Sequence, residues 1–171
     1  MGHINKMWIA FSQSSFVPWA FVFFLPYISM YLWRNLELSP MANRTQEEAQ
    51  KNKEKCLRIL AVSPNIRYAG KINKFGRTLG GQLRRGVVPL FKPDEARNEN
   101  FIEATRNQLR RAFELSIGKT EYTLTENERV KILTLPTEAS FYYITLDKDT
   151  KTEDVHKIIG ALRELVKEDE I

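Results

Sequence analysis

The chain has 171 residues with a net charge of +5; 43% of its residues are apolar and 27% charged. That length suits one ordinary domain, and the composition, with a single Cys, excludes a disordered chain, a disulfide scaffold and a multi-pass membrane protein. The averages hide a split, because residues 1–40 hold ten of the nineteen aromatics but only three charges, Lys6, Arg34 and Glu37. Residues 41–171 carry a net +4.

Met7 to Trp33 is a run of 27 residues without a formal charge. As a helix it would exceed the roughly 30 Å hydrocarbon core of a bilayer. Trp19, Tyr27, Tyr31 and Trp33 suit the lipid–water interface, while Pro18 and Pro26 interrupt a regular helix. No small-residue cleavage site follows, which argues against a signal peptide. Two expectations stand for residues 1–40: a single transmembrane anchor, or a mis-assigned start with Met41 as the true initiator. The larger basic count after Trp33 places the C-terminal domain in the cytoplasm in the first case, and the protein is cytoplasmic in the second.

Residues 41–171 read as one domain. Thr45-Gln-Glu-Glu48 is a capping box that opens a helix of about fifteen residues, with Ala49, Cys56, Leu57 and Leu60 inward. Ser63-Pro64-Asn65 ends it. Ile66–Ile72 and Arg77–Leu83 are strands joined by a turn at Asn73–Gly76, and Gly80-Gly81 in the second strand suggests a bulge or a close backbone approach. Glu95–Ile117 has apolar residues at 101, 102, 109, 112, 113 and 117, the stripe of an amphipathic helix, and Gly118 stands where a C-cap glycine belongs. Three strands follow, at Glu121–Thr125, Val130–Leu135 and Ser140–Leu146. A last helix buries Val155, Ile158, Ile159, Leu162, Leu165 and Val166, capped by Thr150 or Thr152 with Glu153. The order α-β-β-α-β-β-β-α predicts an α+β fold: a five-stranded, mostly antiparallel sheet with three helices, preceded by an apolar N-terminal helix.

That order resembles the roadblock (dynein light-chain) arrangement within the profilin-like group. Such folds pair through a helix or a strand edge, so the resemblance implies a homodimer. The residues themselves, Ile66-Arg-Tyr-Ala-Gly70, Gly76-Arg77, Gly80-Gly81, Arg85-Gly86 and Pro89-Leu90, then Glu121-Tyr122, Arg129-Val-Lys131 and Pro136, resemble a family of small proteins of ammonia-oxidising archaea with no established activity. The likeness spans about residues 46–167. Members start shortly before the first helix, which favours Met41.

Catalytic and cofactor chemistry finds no footing in the sequence. Gly76-Arg-Thr-Leu-Gly-Gly81 has P-loop glycine spacing but continues Gln82-Leu83 where Lys-Ser/Thr is needed. Cys56 and His156 are the domain's sole Cys and His, too few for a zinc site, and they read as a core residue and a helix-flank residue. Asp147, Asp149, Glu153 and Asp154 lack the spacing of a calcium loop and suit a turn and a helix N-terminus. Glu126 and Glu128 flank a turn. No catalytic, metal or cofactor residue is assigned, and the domain is expected not to be an enzyme.

The outstanding signal is charge. Residues 66–92 contain Arg67, Lys71, Lys74, Arg77, Arg84, Arg85 and Lys92 and no acid, while residues 147–171 sum to −3. Strand phase puts Arg67 and Lys71 on one face, opposite Ile66, Tyr68 and Ile72. These seven residues are the candidate docking surface for an anionic partner: an acidic protein or anionic lipid headgroups. Nucleic acid fits poorly, since the bases are not interleaved with a stacking platform. The expected function is a non-enzymatic interaction or scaffold module; the alternatives are a small-ligand sensor with a pocket between sheet and helices, or a nucleic-acid-binding regulator. On this reading, charge reversal at Arg84 and Arg85 removes partner capture and leaves the fold intact.

Overall fold

The computed structural model describes residues 45–167. The leader expected at residues 1–40 lies outside them. Among the described residues no helix is long and apolar enough to cross a membrane.

Helix α1 spans residues 45–62. Strands β1 (Ile66–Asn73) and β2 (Thr78–Leu83) form the expected hairpin. At its tip the Asn73 side-chain oxygen accepts the backbone N–H groups of Phe75 and Arg77, both at 2.9 Å, and Gly76 takes φ +81°. That turn needs an Asx oxygen and a residue without Cβ. Helix α2 (Pro93–Arg111) starts with Pro93 at its first position, and Glu95 accepts the Lys92 N–H at 2.8 Å.

The expected continuous helix to Ile117 is interrupted. The N–H groups of Ala112 and Phe113 turn to Leu109 and Arg110, three residues back, and a separate short helix α3 (Glu114–Ile117) follows. Gly118, at φ +82°, ends it. Strands β3 (Thr123–Glu126), β4 (Val130–Pro136) and β5 (Ser140–Asp147) and helix α4 (Thr152–Lys167) complete the order. The Thr150 hydroxyl donates to the Asp147 carbonyl in the preceding turn at 2.7 Å and does not serve as a helix cap.

The five strands stand in the order β2-β1-β5-β4-β3, and every neighbouring pair is antiparallel. The α+β architecture expected from the sequence is therefore present. Helices α1 and α4 cover one face, where Cys56, Ile59, Leu60, Val155, Ile158 and Leu162 pack on Ile66, Ala69, Leu133, Tyr142, Ile144 and Leu146. Helix α2 lies against the other face, where Ala104 meets Ile72, Val130, Ile132, Phe141 and Tyr143. In α1 the inward set is Cys56, Ile59 and Leu60, whereas Leu57 is half exposed and Ala49 exposed. Leu57 sits one residue round the helix from Cys56, about 100° away, and so leaves the sheet-facing stripe.

Gly80 and Gly81 do mark close approaches, one on each face. A Cβ at Gly80 would lie 2.8 Å from Cβ of Asn52 on α1. A Cβ at Gly81, or at its ladder partner Gly70, would lie 2.5 Å from the Tyr68 hydroxyl. The Tyr68 ring lies along β1 and β2 over this glycine pair.

One cation fastens α1 to the hairpin. The Arg84 guanidinium donates to the carbonyls of Ile66 and Ser63, each at 2.6 Å, and to that of Leu60. It thereby meets the Leu60 carbonyl in the last turn of α1 and the Ser63 carbonyl just beyond it, where the helix dipole also favours a positive charge. Hydrogen bonds from a charged donor are worth about 1.5–3 kcal/mol each, without full additivity. Arg84→Ala is therefore expected to lower the unfolding free energy by about 2–3 kcal/mol, read from urea denaturation followed by circular dichroism.

Candidate functional site

The structure separates the seven basic residues of the hairpin region. A β-bulge between Ile66 and Tyr68 shifts the register of β1 against β5. Arg67 consequently joins Tyr68 on the α2 face, where it pairs with Asp147 at 2.7 Å and donates to the Val88 carbonyl at 3.4 Å. Lys71 stands opposite Tyr142, on the α1 face, with its ammonium 5.4 Å from the ring centroid. The expectation that Arg67 and Lys71 share a face is thus corrected, because one inserted residue reverses the alternation. Arg84 is committed to the carbonyls of α1 and β1, so its reversal cannot leave the fold intact. Lys74, Arg77, Arg85 and Lys92 are exposed, with Lys74 lying 5.2 Å from the centroid of its neighbour Phe75.

The larger surprise is α2. Its apolar stripe does not enter the core: Phe101 is 62% exposed, Ile102 57%, Leu109 66% and Phe113 57%. Together with Thr105, Arg106 and Arg110 they line a shallow groove on the outer side of the helix. The stripe turned to the sheet is instead polar or small: Ala96, Glu99, Asn100, Glu103, Ala104 and Asn107. Polar ties hold this orientation. Asn100 donates to the Thr78 hydroxyl at 3.1 Å, Gln108 to the Lys74 carbonyl, and Arg111 to the carbonyls of Thr137 and Glu138 at 2.7 Å each. The helix backbone at Phe101 also passes so near Gly76 that a Cβ there would lie 2.9 Å from its Cα.

Two carboxylates come with that inner stripe. Glu99 accepts the Tyr143 hydroxyl at 3.2 Å. Burial and the neighbouring Glu99 raise the Tyr143 phenol well above its ordinary range, so it stays a proton donor. The Glu103 side chain is 8% exposed; one oxygen lies 3.4 Å from Arg106 and the other has no partner. Burial pushes its carboxyl up, and Arg106 partly offsets this. The sequence analysis assigns neither Glu99 nor Glu103 a role. Their four-residue spacing beside Ala96 and Ala104 was the available signal.

The Cys–His pair has separate environments. Cys56 is buried with its sulfur 3.8 Å from the Gly80 carbonyl oxygen, while exposed His156 contacts its own helix at the Thr152 carbonyl, 2.8 Å from Nδ1. Among the described residues, no three His, Cys, Asp or Glu side chains are grouped to hold a metal ion.

Comparison with solved structures matches this arrangement of sheet and helices. The Roadblock/LC7 domain from Streptomyces avermitilis superposes with a TM-score of 0.51 at 10% identity, over 67% of this chain and 93% of its own. The fold is that of a roadblock domain. Myxococcus xanthus MglB gives 0.55 at 13% identity, over 71% of this chain and 89% of its own. A structure of MglB in a tetrameric arrangement gives 0.54 at 16%, over 71% and 91%. No protein-family model and no curated protein matches the sequence.

The roadblock-like core retains Glu103 as a buried acid, with a consequence for stability. Its raised folded-state pKa means that the native state binds more protons than the unfolded state just above the ordinary glutamate value. Stability therefore falls as pH rises from about 4 through the raised pKa. Glu103→Gln is expected to remove that fall and to be more stable than the parent at pH 7, measured by urea denaturation across pH.

Proposed function

We propose that this roadblock-like domain is a non-enzymatic interaction module that pairs with a second copy of itself through the outer face of α2. The carrying observation is the inverted helix. Four large apolar side chains in one exposed stripe are a costly arrangement for an isolated domain and a usual one for a contact surface. The flanking Arg106 and Arg110 supply a polar rim. That a protein of the same fold, MglB, occurs in a tetrameric arrangement supports self-association as the use of such a face. The residue-level likeness to small archaeal proteins adds no activity to this reading.

A second contact belongs to the exposed part of the basic region. Lys74, Arg77 and Arg85, with Lys92, form the docking surface for an acidic protein segment, and Arg67, Lys71 and Arg84 serve the fold around them.

Burial of a leucine side chain is worth about 1.5–3 kcal/mol. Leu109→Arg in the full-length chain should therefore weaken pairing at least about tenfold in sedimentation equilibrium, with an unchanged circular dichroism spectrum. A parent chain that stays monomeric at high concentration, or a variant that pairs as well, would overturn the assignment. For the second contact, reversal of Lys74, Arg77 and Arg85 to Glu should abolish binding of a polyglutamate peptide, which in the parent weakens steeply with added salt. Binding to anionic vesicles without binding to the peptide would move the contact to a membrane surface.

A further inference from the structure

The inner side of α2 is turned away from the proposed pairing face and toward the sheet. Between α2, the Val88–Phe91 segment and the sheet lies a cavity of about 170 Å³ whose floor includes Tyr68, Tyr143 and Thr145. A dry apolar cavity of about 150 Å³ is large enough to take up benzene. Most of this wall is apolar, with Leu83, Val88 and Leu90 among its residues. Tyr68 and Tyr143 meet edge to face, their centroids 6.4 Å apart and their planes at 62°, which gives the cavity an aromatic floor.

The polar groups are unevenly balanced. Glu99 lines this cavity and also the adjoining cleft lined by Glu103, Glu128 and Arg129. Among the described residues no cation lies within ion-pairing distance of Glu99, whose oxygen is met by the neutral Tyr143 hydroxyl. Glu103, one turn along the same stripe, is nine-tenths buried with one oxygen unpartnered. Carboxylates four residues apart on a helix repel each other, and buried carboxylates call for a counter-charge. Arg106, at 3.4 Å, is the cation paired with Glu103, which lines the cleft and not the cavity. Arg67, the cation in the cavity wall, is paired with Asp147 through Nη1, while its buried Nε has no partner.

We propose that this cavity binds a small primary amine with an aromatic or branched apolar body, its ammonium held by Glu99 and its body laid against Tyr68, Tyr143 and Leu90. The ammonium donates to the Glu99 oxygens, whose only partner among the described residues is the neutral Tyr143 hydroxyl. Cation–π attraction to the tyrosine rings adds to the hold. Arg67 repels an ammonium placed next to it, so the amine has one orientation.

The probe is phenethylamine, with hydrocinnamate as a counterpart of similar size and opposite charge, titrated calorimetrically into the full-length chain. Saturable binding of one amine per chain is expected, with Kd of about 1 mM or tighter, and hydrocinnamate at least tenfold weaker. Glu99→Gln should weaken the amine at least tenfold, and the exposed Leu109→Arg should leave its affinity unchanged. No saturable amine binding overturns the proposal, as does hydrocinnamate binding equally well, or full amine affinity in a folded Glu99→Gln variant. The two parent-chain titrations decide the question by themselves if Glu99→Gln does not fold. A loss of pairing in Leu109→Arg with amine binding retained separates the two faces of the helix.

Discussion

Strand β5 lies third in the five-stranded sheet, with Tyr142, Ile144 and Leu146 on one face and Phe141, Tyr143 and Thr145 on the other. All but its last residue are buried. Both faces of such a strand must be covered, or the apolar surface and the ladder beside it meet water. Helices α1 and α4 cover the first face with aliphatic side chains in an ordinary core. Helix α2 covers the second face with glutamate, asparagine and alanine. The rest of the molecule follows from this asymmetry.

A polar stripe turned inward cannot interdigitate as aliphatic side chains do. It is held by directional bonds, such as Asn100 to Thr78, Tyr143 to Glu99 and Arg106 to Thr125 at 3.3 Å. Between those bonds space remains, which explains why the cavity and cleft occur on this face. The same rotation of the helix turns Phe101, Ile102, Leu109 and Phe113 outward. The inner cavity and the outer apolar stripe are therefore two consequences of one choice of helix face.

The basic hairpin shows a comparable division between structure and surface. Seven cations in 27 residues looked in sequence like one electrostatic feature. In the fold, Arg84 closes the end of α1, Arg67 pairs with Asp147, and Lys71 lies over Tyr142. The cations at the hairpin tip and before α2 stay at the surface. A positive charge near a helix C-terminus or an aspartate is drawn to it whatever else the segment does, so linear charge density overstates the surface available to a partner.

By itself the sequence determined the order of the strands and long helices, the hairpin turn at Asn73–Gly76, the glycine ending at Gly118, and the aliphatic stripe of α4. Each depends on local chemistry: period, capping, and residues that tolerate unusual backbone angles. It also marked Gly80-Gly81 as a place for a bulge or a close approach, and the ladder of β1 with β2 does shift register beside Gly80. What approaches them, Asn52 from one side and the Tyr68 ring from the other, was decided by tertiary structure alone. So was the face of α2. An amphipathic helix announces two faces by its period, but the sheet and the polar partners around it select which one turns inward. Here Thr78, Tyr143 and the carbonyls of Lys74, Thr137 and Glu138 select the polar one. The bulge that puts Arg67 beside Tyr68 is likewise invisible to a period-two reading, because one extra residue in a ladder leaves no mark on composition and reverses every face before it.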